Sequence, residues 1–468
     1  MRTKLLFYIW GFTILIMVFS SFTNVLSVQA EKQLTATAVV LMEQTTGRVL
    51  YARNAHERRY PASTTKMLTA ILAYEHLDLD AVVVVGSEIF AVPASFSVAG
   101  HFEGETITVR MLLHALLIPS GNDSAMVLAM EVAQTLEGRR NIPTNEAQAI
   151  FSALMNNKAR ELGALNSNFN NPFGLHHEAH YTTAYDMAVI GRAFMHSPTL
   201  AQISATREFS GDSLGGISHP DGRTRNFTWT NTSQMLPGAA FAHPYITGGR
   251  TGFTTPAGHC FVAGAYHNNL ALVAVVLYSR EPDRWSDTRL LLDYGFFNYA
   301  FREIATENQF LQTVKIENPR LGDESTLDIY LQHGHTALLS LEEYAALERV
   351  ILFDPILLAE HEETTLRTPI EYNASVALVE YRIGNNVIFS THAIASRYVK
   401  ERTFDSDMDY YMAMIFENIF TRRALPYWFG TFGVIFGITG ICMAITTRKR
   451  ARNAERWSTP NPRKRRGV

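Results

Sequence analysis

Residues 41–76 read LMEQTTGRVLYARNAHERRYPASTTKMLTAILAYEH. Two changes of pattern in and around this stretch decide the fold class. Thr35–Met42, TATAVVLM, and Gly47–Ala52, GRVLYA, flank a polar turn, and this predicts two adjacent strands. From Ser63 onward the apolar positions adopt helical spacing, with Met67, Leu68, Ile71 and Leu72 on one face. A strand pair therefore gives way to an amphipathic helix headed by Ser63-Thr64-Thr65-Lys66.

Further along, Val82–Val85 reads as a short buried strand. Thr108–Leu117, Asp123–Leu136, 144–162 and 182–195 read as helices. Residues 257–266 and 270–279 are strand-like around His267-Asn268-Asn269, a hairpin signal. A helix from about Trp285 to Phe301 closes the block. Strands at both ends with helices between them predict a mixed α/β domain spanning residues 31–305. After Thr306 short strand-like runs recur: Thr313–Ile316, Leu327–Leu331, Val350–Phe353, Val376–Tyr381 and Val387–Ala395. They predict a small β-rich domain over 306–400, followed by a stalk over 401–425.

Composition and charge narrow the class. The chain has 468 residues, 47% hydrophobic and 18% charged, which excludes a disordered chain. The formal charge of −3 is unevenly spread. From Arg448 to Val468 nine basic residues face one acid, Glu455, and the first thirty residues add only Arg2 and Lys4. The body between is therefore acidic, which argues against a nucleic-acid surface there.

Two apolar stretches set the expected compartment. Residues 1–30 join Arg2 and Lys4, an apolar Leu5–Phe22 run and a polar end at Ser27-Val28-Gln29-Ala30. That is the pattern of a secretory signal, with an uncleaved anchor as the alternative. Pro426–Thr447 carries no charge, and at 1.5 Å per residue it spans about 33 Å, enough to cross a bilayer core. Tyr427 and Trp428 open it, and Arg448, Lys449, Arg450 and Arg452 follow it. The positive-inside rule then puts the tail over 448–468 in the cytoplasm, the body outside, and the helix in membrane lipid. Of the two cysteines, Cys442 lies in the span and only Cys260 in the body, so no intrachain disulfide is expected.

Three short motifs carry chemistry. Ser63 and Lys66 sit three apart on a helix, so hydroxyl and amine share a face. A serine needs an adjacent base, and a lysine serves if its pKa is lowered. Ser120-Gly121-Asn122 falls in the break between two helices, where a hydroxyl can pass a proton and an amide can hold a substrate. Arg250-Thr251-Gly252 precedes a strand-like run, where a cation and a hydroxyl suit a free carboxylate and Gly252 permits close approach.

Taken together these match the S-x-x-K, S-x-N and K-T-G set of the penicillin-binding proteins and class A β-lactamases. Within that superfamily the sequence most resembles the serine-type D-alanyl-D-alanine carboxypeptidases, the low-molecular-mass penicillin-binding proteins. The resemblance runs from about residue 35 to 300. It includes the opening stretch, LLIPSGNDSAMVLA over 116–129, NFNNPFGLHHEAHYTTAYDMAVIGRAFM over 168–195 and GGRTGFTTPAGHCFVAGA over 248–265. It implies a transpeptidase-like fold, an antiparallel sheet with a helical subdomain. It implies that Ser63 attacks the D-Ala-D-Ala bond of a peptidoglycan stem peptide, Lys66 takes its proton and Ser120 relays one to the leaving D-alanine. By the same resemblance the N–H groups of Ser63 and Phe253 form the oxyanion hole, and Asn122 binds the acylated residue's amide. Arg250 and Thr251, with Gly252, hold the terminal carboxylate. β-Lactam antibiotics would acylate the same serine, and no cofactor or metal is required. Arg250 departs from the family's usual lysine.

Three rival readings have particular residues behind them. His176-His177-Glu178-Ala179-His180 invites a zinc peptidase, but Tyr181 and Ala179 stand where H-E-x-x-H and H-x-x-E-H need other residues. A β-lactamase needs a deacylating carboxylate, for which Glu161 is the candidate. A non-catalytic wall-binding protein on the same fold rests on the departure at Arg250.

Overall fold

The computed structural model describes residues 34–93, 95–210, 217–218, 227–360, 362–419 and 425–457. The expected signal segment at 1–30 lies outside the described residues, as does the tail beyond 457. The chain forms two compact units. One runs to Arg302 and takes in Ala337–Ala346; the other holds Glu303–Thr336 and everything from Leu347.

The first unit is built on a five-stranded antiparallel sheet. Its strands are β1 (Ala38–Glu43), β2 (Val49–Arg53), β3 (Ile246–Thr254), β4 (Gly258–His267) and β5 (Leu270–Ser279), in the order β2-β1-β5-β4-β3. The centre joins strands from opposite ends of the unit, with Ala38 opposite Leu277 and Glu43 opposite Leu272. Every residue of β1 is buried. The reason is a helical layer on each face. Ala38, Val40 and Met42 point into a core shared with Met67, Met187 and Ile190. Val39 and Leu41 point the other way, toward Leu291 and Leu292. The period of two along β1 thus serves two cores at once.

Among the described residues six α-helices follow β2 before the chain returns to the sheet: α1 (Lys66–His76), α2 (Val109–Leu117), α3 (Asn122–Glu137), α4 (Thr144–Leu162), α5 (Ala184–Met195) and α6 (Pro198–Ala205). Their caps follow the sequence. Thr108 accepts from Met111 N ahead of α2, Thr183 from Asp186 N ahead of α5, and left-handed Gly138 and Gly163 end α3 and α4. A seventh helix, α7 (Asp283–Asn298), follows β5. It stops three residues before the expected Phe301, because Tyr299 turns extended and starts a new strand. The Val82–Val84 strand is also not the buried one expected. It lies at the edge of a three-stranded sheet, and Val82 and Val84 are 67% and 64% exposed.

The second unit carries a six-stranded sheet of β6 (Phe310–Glu317), β7 (Thr326–Leu331), β8 (Leu347–Phe353), β9 (Thr365–Arg367), β10 (Ser375–Ile383) and β11 (Asn386–Ala395), ordered β8-β10-β11-β7-β6-β9. Its pairs are antiparallel except β6 with β9, and Leu327, Ile329, Leu331, Val376 and Val379 fill its core. Two helices follow, α8 (Phe404–Ile419) and α9 (Leu425–Trp457). Within α9, Pro426–Arg452 is long and apolar enough to cross a membrane and none of it is buried.

One buried carboxylate closes the first unit. Asp287 on α7 accepts from Thr35 N at 2.9 Å, Ala36 N at 2.9 Å, Thr35 Oγ1 at 2.9 Å and Ser279 Oγ at 2.8 Å. It ties the lead-in of β1 to the end of β5. Asp287→Ala leaves those donors buried without an acceptor and should cost about 2–3 kcal/mol. Thermal unfolding should show it as a drop of roughly 5–10 °C in Tm.

Candidate active site

Ser63 stands on a turn, not on the helix proper. Ala62–Thr65 forms a single 3₁₀ turn ahead of α1, with Ala62 at φ +48° and Thr64 Oγ1 donating to Pro61 O at 2.7 Å. Two backbones wedge it in place. A β-carbon on Gly174 (φ +88°) would sit 1.9 Å from Ala62 O, and one on Gly252 would sit 3.0 Å from Ser63 N. Glycine is required at both, and both approaches bring polar backbone to the serine.

Lys66 begins α1 and is fully buried. Its Nζ lies within hydrogen-bond reach of four oxygens: Ser63 Oγ at 2.9 Å, Ser120 Oγ at 3.3 Å, Phe173 O at 3.2 Å and Asn122 Oδ1. All four partners are neutral oxygens. Burial pulls the Lys66 pKa well below the usual lysine value, the nearby Arg250 cation lowers it further, and Asp123 partly offsets both. A neutral amine in contact with a serine hydroxyl can act as a base at that oxygen.

The break between α2 and α3 presents Ser120 in the left-handed region, at φ +69°, with its hydroxyl toward Lys66. Asn122 follows as the first residue of α3. Three residues from two motifs, Ser63 from the first and Ser120 and Asn122 from the second, therefore converge on one amine.

The third motif lies inside edge strand β3. Gly249 N donates off the strand's outer edge to Ser204 Oγ at 3.1 Å. By alternation the N–H groups of Thr251 and Phe253 face the same outer edge, the side where Gly252 meets Ser63. Arg250 is buried: Nη1 donates to Leu117 O at 2.7 Å, while Nε and Nη2 have no hydrogen-bond partner among the described residues. Burial pushes its pKa down to about 9, so it remains a cation at neutral pH. Thr251 Oγ1 lies 2.6 Å from Thr232 Oγ1.

Several contributors were not picked out from the motifs. Phe173 supplies a carbonyl to Lys66 and lies 3.5 Å from Ser63 Oγ. Asn171 holds that loop, its Oδ1 accepting from the N–H groups of Phe173, Gly174 and Leu175. Thr232 joins the third motif from a loop 18 residues upstream of Arg250. The only sequence signal for these was the NPFG run, which carries no chemistry of its own.

The rival candidates fall elsewhere. His180 is buried, and its Nδ1 accepts from Asn170 N at 3.0 Å, so Nε2 carries the proton and donates to Thr65 Oγ1 at 2.9 Å. Burial drives its pKa down to about 3, and it braces the nucleophile turn as a neutral ring. Among the described residues no group of three His, Cys, Asp or Glu is placed to hold a metal. Glu161 is an exposed residue of α4 paired with Lys158 at 3.1 Å.

Comparison with known proteins agrees with this geometry. Residues 24–281 match the peptidase S11 family, D-alanyl-D-alanine carboxypeptidase. The chain belongs to that family. It is 31% identical over 296 residues to the D-alanyl-D-alanine carboxypeptidase DacF of Bacillus subtilis, covering 60% of this chain and 67% of that one. It is 30% identical over 263 residues to the D-alanyl-D-alanine carboxypeptidase of Streptomyces sp. K15, covering 54% and 85%. The crystal structure of the Streptomyces K15 DD-transpeptidase superposes with a TM-score of 0.52 at 29% identity over 56% of this chain and 98% of that one. The DacD carboxypeptidase of Francisella tularensis, at 23% identity, shares the fold with a TM-score of 0.57 over 79% and 94%.

The carboxypeptidase's pH dependence is expected to follow two buried basic groups, Lys66 and Arg250. A base at Lys66 must first lose its proton, so kcat/KM should rise with pH through its lowered pKa. Arg250→Gln removes a cation that depresses that pKa, so the acidic limb should move to higher pH. An unmoved limb in the variant would show that the two charges do not communicate.

Proposed function

We propose that Ser63 is the acylated nucleophile of this D-alanyl-D-alanine carboxypeptidase and that Lys66 is its general base. One observation carries the assignment: the Lys66 amine touches the hydroxyls of both Ser63 and Ser120 while burial favours its neutral form. Lys66 takes the Ser63 proton as Oγ attacks the carbonyl between the last two D-alanines of a stem peptide. The oxyanion that forms is met by the N–H groups of Ser63 and Phe253; losing one such donor typically costs about 10²–10³ in rate. The proton passes through Ser120 to the departing D-alanine nitrogen, and the carbon–nitrogen bond breaks. Water then attacks the acyl-enzyme, giving its proton back through Lys66, and the shortened peptide leaves with Ser63 restored. Asn122 supports the acylated residue's amide. Arg250 and Thr251 answer the terminal carboxylate, and a guanidinium fork suits a planar anion. A β-lactam enters by the same attack and stays as a stable acyl-enzyme.

Family members are cell-envelope enzymes, and the carboxypeptidase's α9 suits a membrane anchor. We place the two folded units outside the cell and the basic residues after the span in the cytoplasm, because Arg448, Lys449, Arg450 and Arg452 follow the apolar stretch directly.

Fluorescent penicillin should label the wild-type protein at Ser63. Ser63→Ala should abolish both the label and D-alanine release from a pentapeptide ending in D-Ala-D-Ala, with the melting temperature retained. Undiminished label in that variant would overturn the assignment. For topology, protease added to intact cells should remove the folded units and leave a short anchored C-terminal fragment. Survival of the full-length chain under those conditions would reverse the orientation.

A further inference from the structure

Behind the Ser120-Gly121-Asn122 turn lies a second set of polar side chains that the mechanism does not use. His101 Nδ1 is 2.8 Å from Glu105 Oε2, and His101 Nε2 is 2.9 Å from Ser124 Oγ. All three side chains are buried. Glu105 accepts, so Nδ1 carries a proton, and the second ring nitrogen shares a hydrogen bond with the Ser124 hydroxyl. The order serine, histidine, carboxylate is that of a hydrolytic triad, yet Ser124 has no exposed surface and no substrate reaches it. The array faces inward, toward the turn that carries Ser120.

Its connections to that turn are direct. The Ser124 hydroxyl lies where a β-carbon on Gly121 would come within 2.5 Å of it, so its rotamer sets the floor under Gly121. The neighbouring carboxylate, Asp123, accepts from the N–H groups of Ala99, Gly100 and His101 at 2.8, 2.8 and 3.0 Å. The segment so held reaches back to the turn. Ser97 Oγ donates to Ser120 O at 2.8 Å, and Asn122 N donates to Ser97 O at 3.0 Å. Ser120 sits at φ +69°, a strained conformation for a non-glycine residue that persists only where surroundings hold it.

We propose that the buried Glu105–His101–Ser124 chain is a positioning device that holds Ser120 in line for proton delivery to the leaving group. His101 and Ser124 are positioning residues; neither touches substrate. The inference rests on Ser120 being the proton relay. It goes further by assigning what keeps that relay in its strained conformation.

The test separates positioning from loss of fold by the leaving group. An amide nitrogen must be protonated to depart, whereas a thiolate leaves unprotonated. Acyl transfer should be measured on a peptide ending in D-Ala-D-Ala and on its thioester analogue ending in D-alanyl-thioglycolate, using the full-length protein. Ser124→Ala should lower kcat/KM for the peptide about tenfold or more and leave the thioester within about twofold. At position 101, glutamine puts an amide near the place of Nε2 and asparagine near that of Nδ1. His101→Gln should therefore recover most of the peptide activity that His101→Asn loses. Equal losses on both substrates, or no loss on either, would overturn the proposal. Ser120→Ala serves as the reference. If it shows the selective loss and Ser124→Ala does not, the positioning chain is wrong and the relay stands. If Ser120→Ala itself shows no selectivity, the relay reading fails and the proposal with it.

Discussion

The site depends on an amine kept out of water without a carboxylate touching it. Lys66 meets four neutral oxygens, and the second buried cation, Arg250, bears on it from β3. A charged ammonium in that setting is paid for in desolvation, and losing the proton relieves the penalty. The fold supplies the burial by closing helices over a sheet in which β1, beside the central strand, is covered on both faces. The same enclosure that makes β1 a core strand lowers the Lys66 pKa. Ser63, Ser120 and Asn122 then need only be brought within hydrogen-bond reach of one nitrogen.

That convergence requires unusual backbone at each approach. Ala62 and Ser120 both take positive φ, and Gly174 and Gly252 press on the nucleophile turn more closely than any side chain permits. Each is a local cost placed where a polar group must be aimed. The costs are met by short-range bonds: Asn171 fastens the Phe173–Leu175 loop, neutral His180 fastens Thr65, and Ser97 and Asp123 fasten the Ser120 turn. The catalytic groups are few; most of the polar side chains around them hold backbone in place.

This division explains what could be read from the chain alone. The helices and the long strands follow from periodicity, because each presents a continuous apolar face to a core, as Met67, Leu68 and Ile71 do on α1. The three motifs were legible because their chemistry is local: serine three residues before lysine, serine two before asparagine, a cation before a threonine. What was missed is non-local. Phe173 contributes a carbonyl, which has no residue signature. Thr232 meets Thr251 across a loop. The bracing role of His180 on Thr65 was likewise not legible, because it depends on burial and on a contact 115 residues away in sequence. Val82 and Val84 read as core by composition, yet they lie on an edge strand whose outward faces have no covering layer. The α7 boundary slipped because Tyr299 and Phe301 suit a helix face and a strand equally well.

Arg250 shows how one departure from a motif can be carried by geometry. A lysine would end in a single ammonium, whereas the guanidinium has one nitrogen to spend on the fold and others left over. Nη1 reaches Leu117 O, the carbonyl of the last residue of α2. Helix-terminal carbonyls lack intrahelical partners and carry the negative end of the dipole, so a cation is well placed there. That contact anchors β3 to the helix end that precedes Ser120, and it couples the first and last of the three motifs through the second. The remaining Nε and Nη2 are buried donors with no described partner. Leaving such donors dry is costly, and a carboxylate arriving beside Thr251 and Thr232 would satisfy both while neutralising the charge. A carboxylate bound there would remove part of the cationic field that, after burial, lowers the Lys66 pKa. The affinity of Lys66 for a proton would then rise.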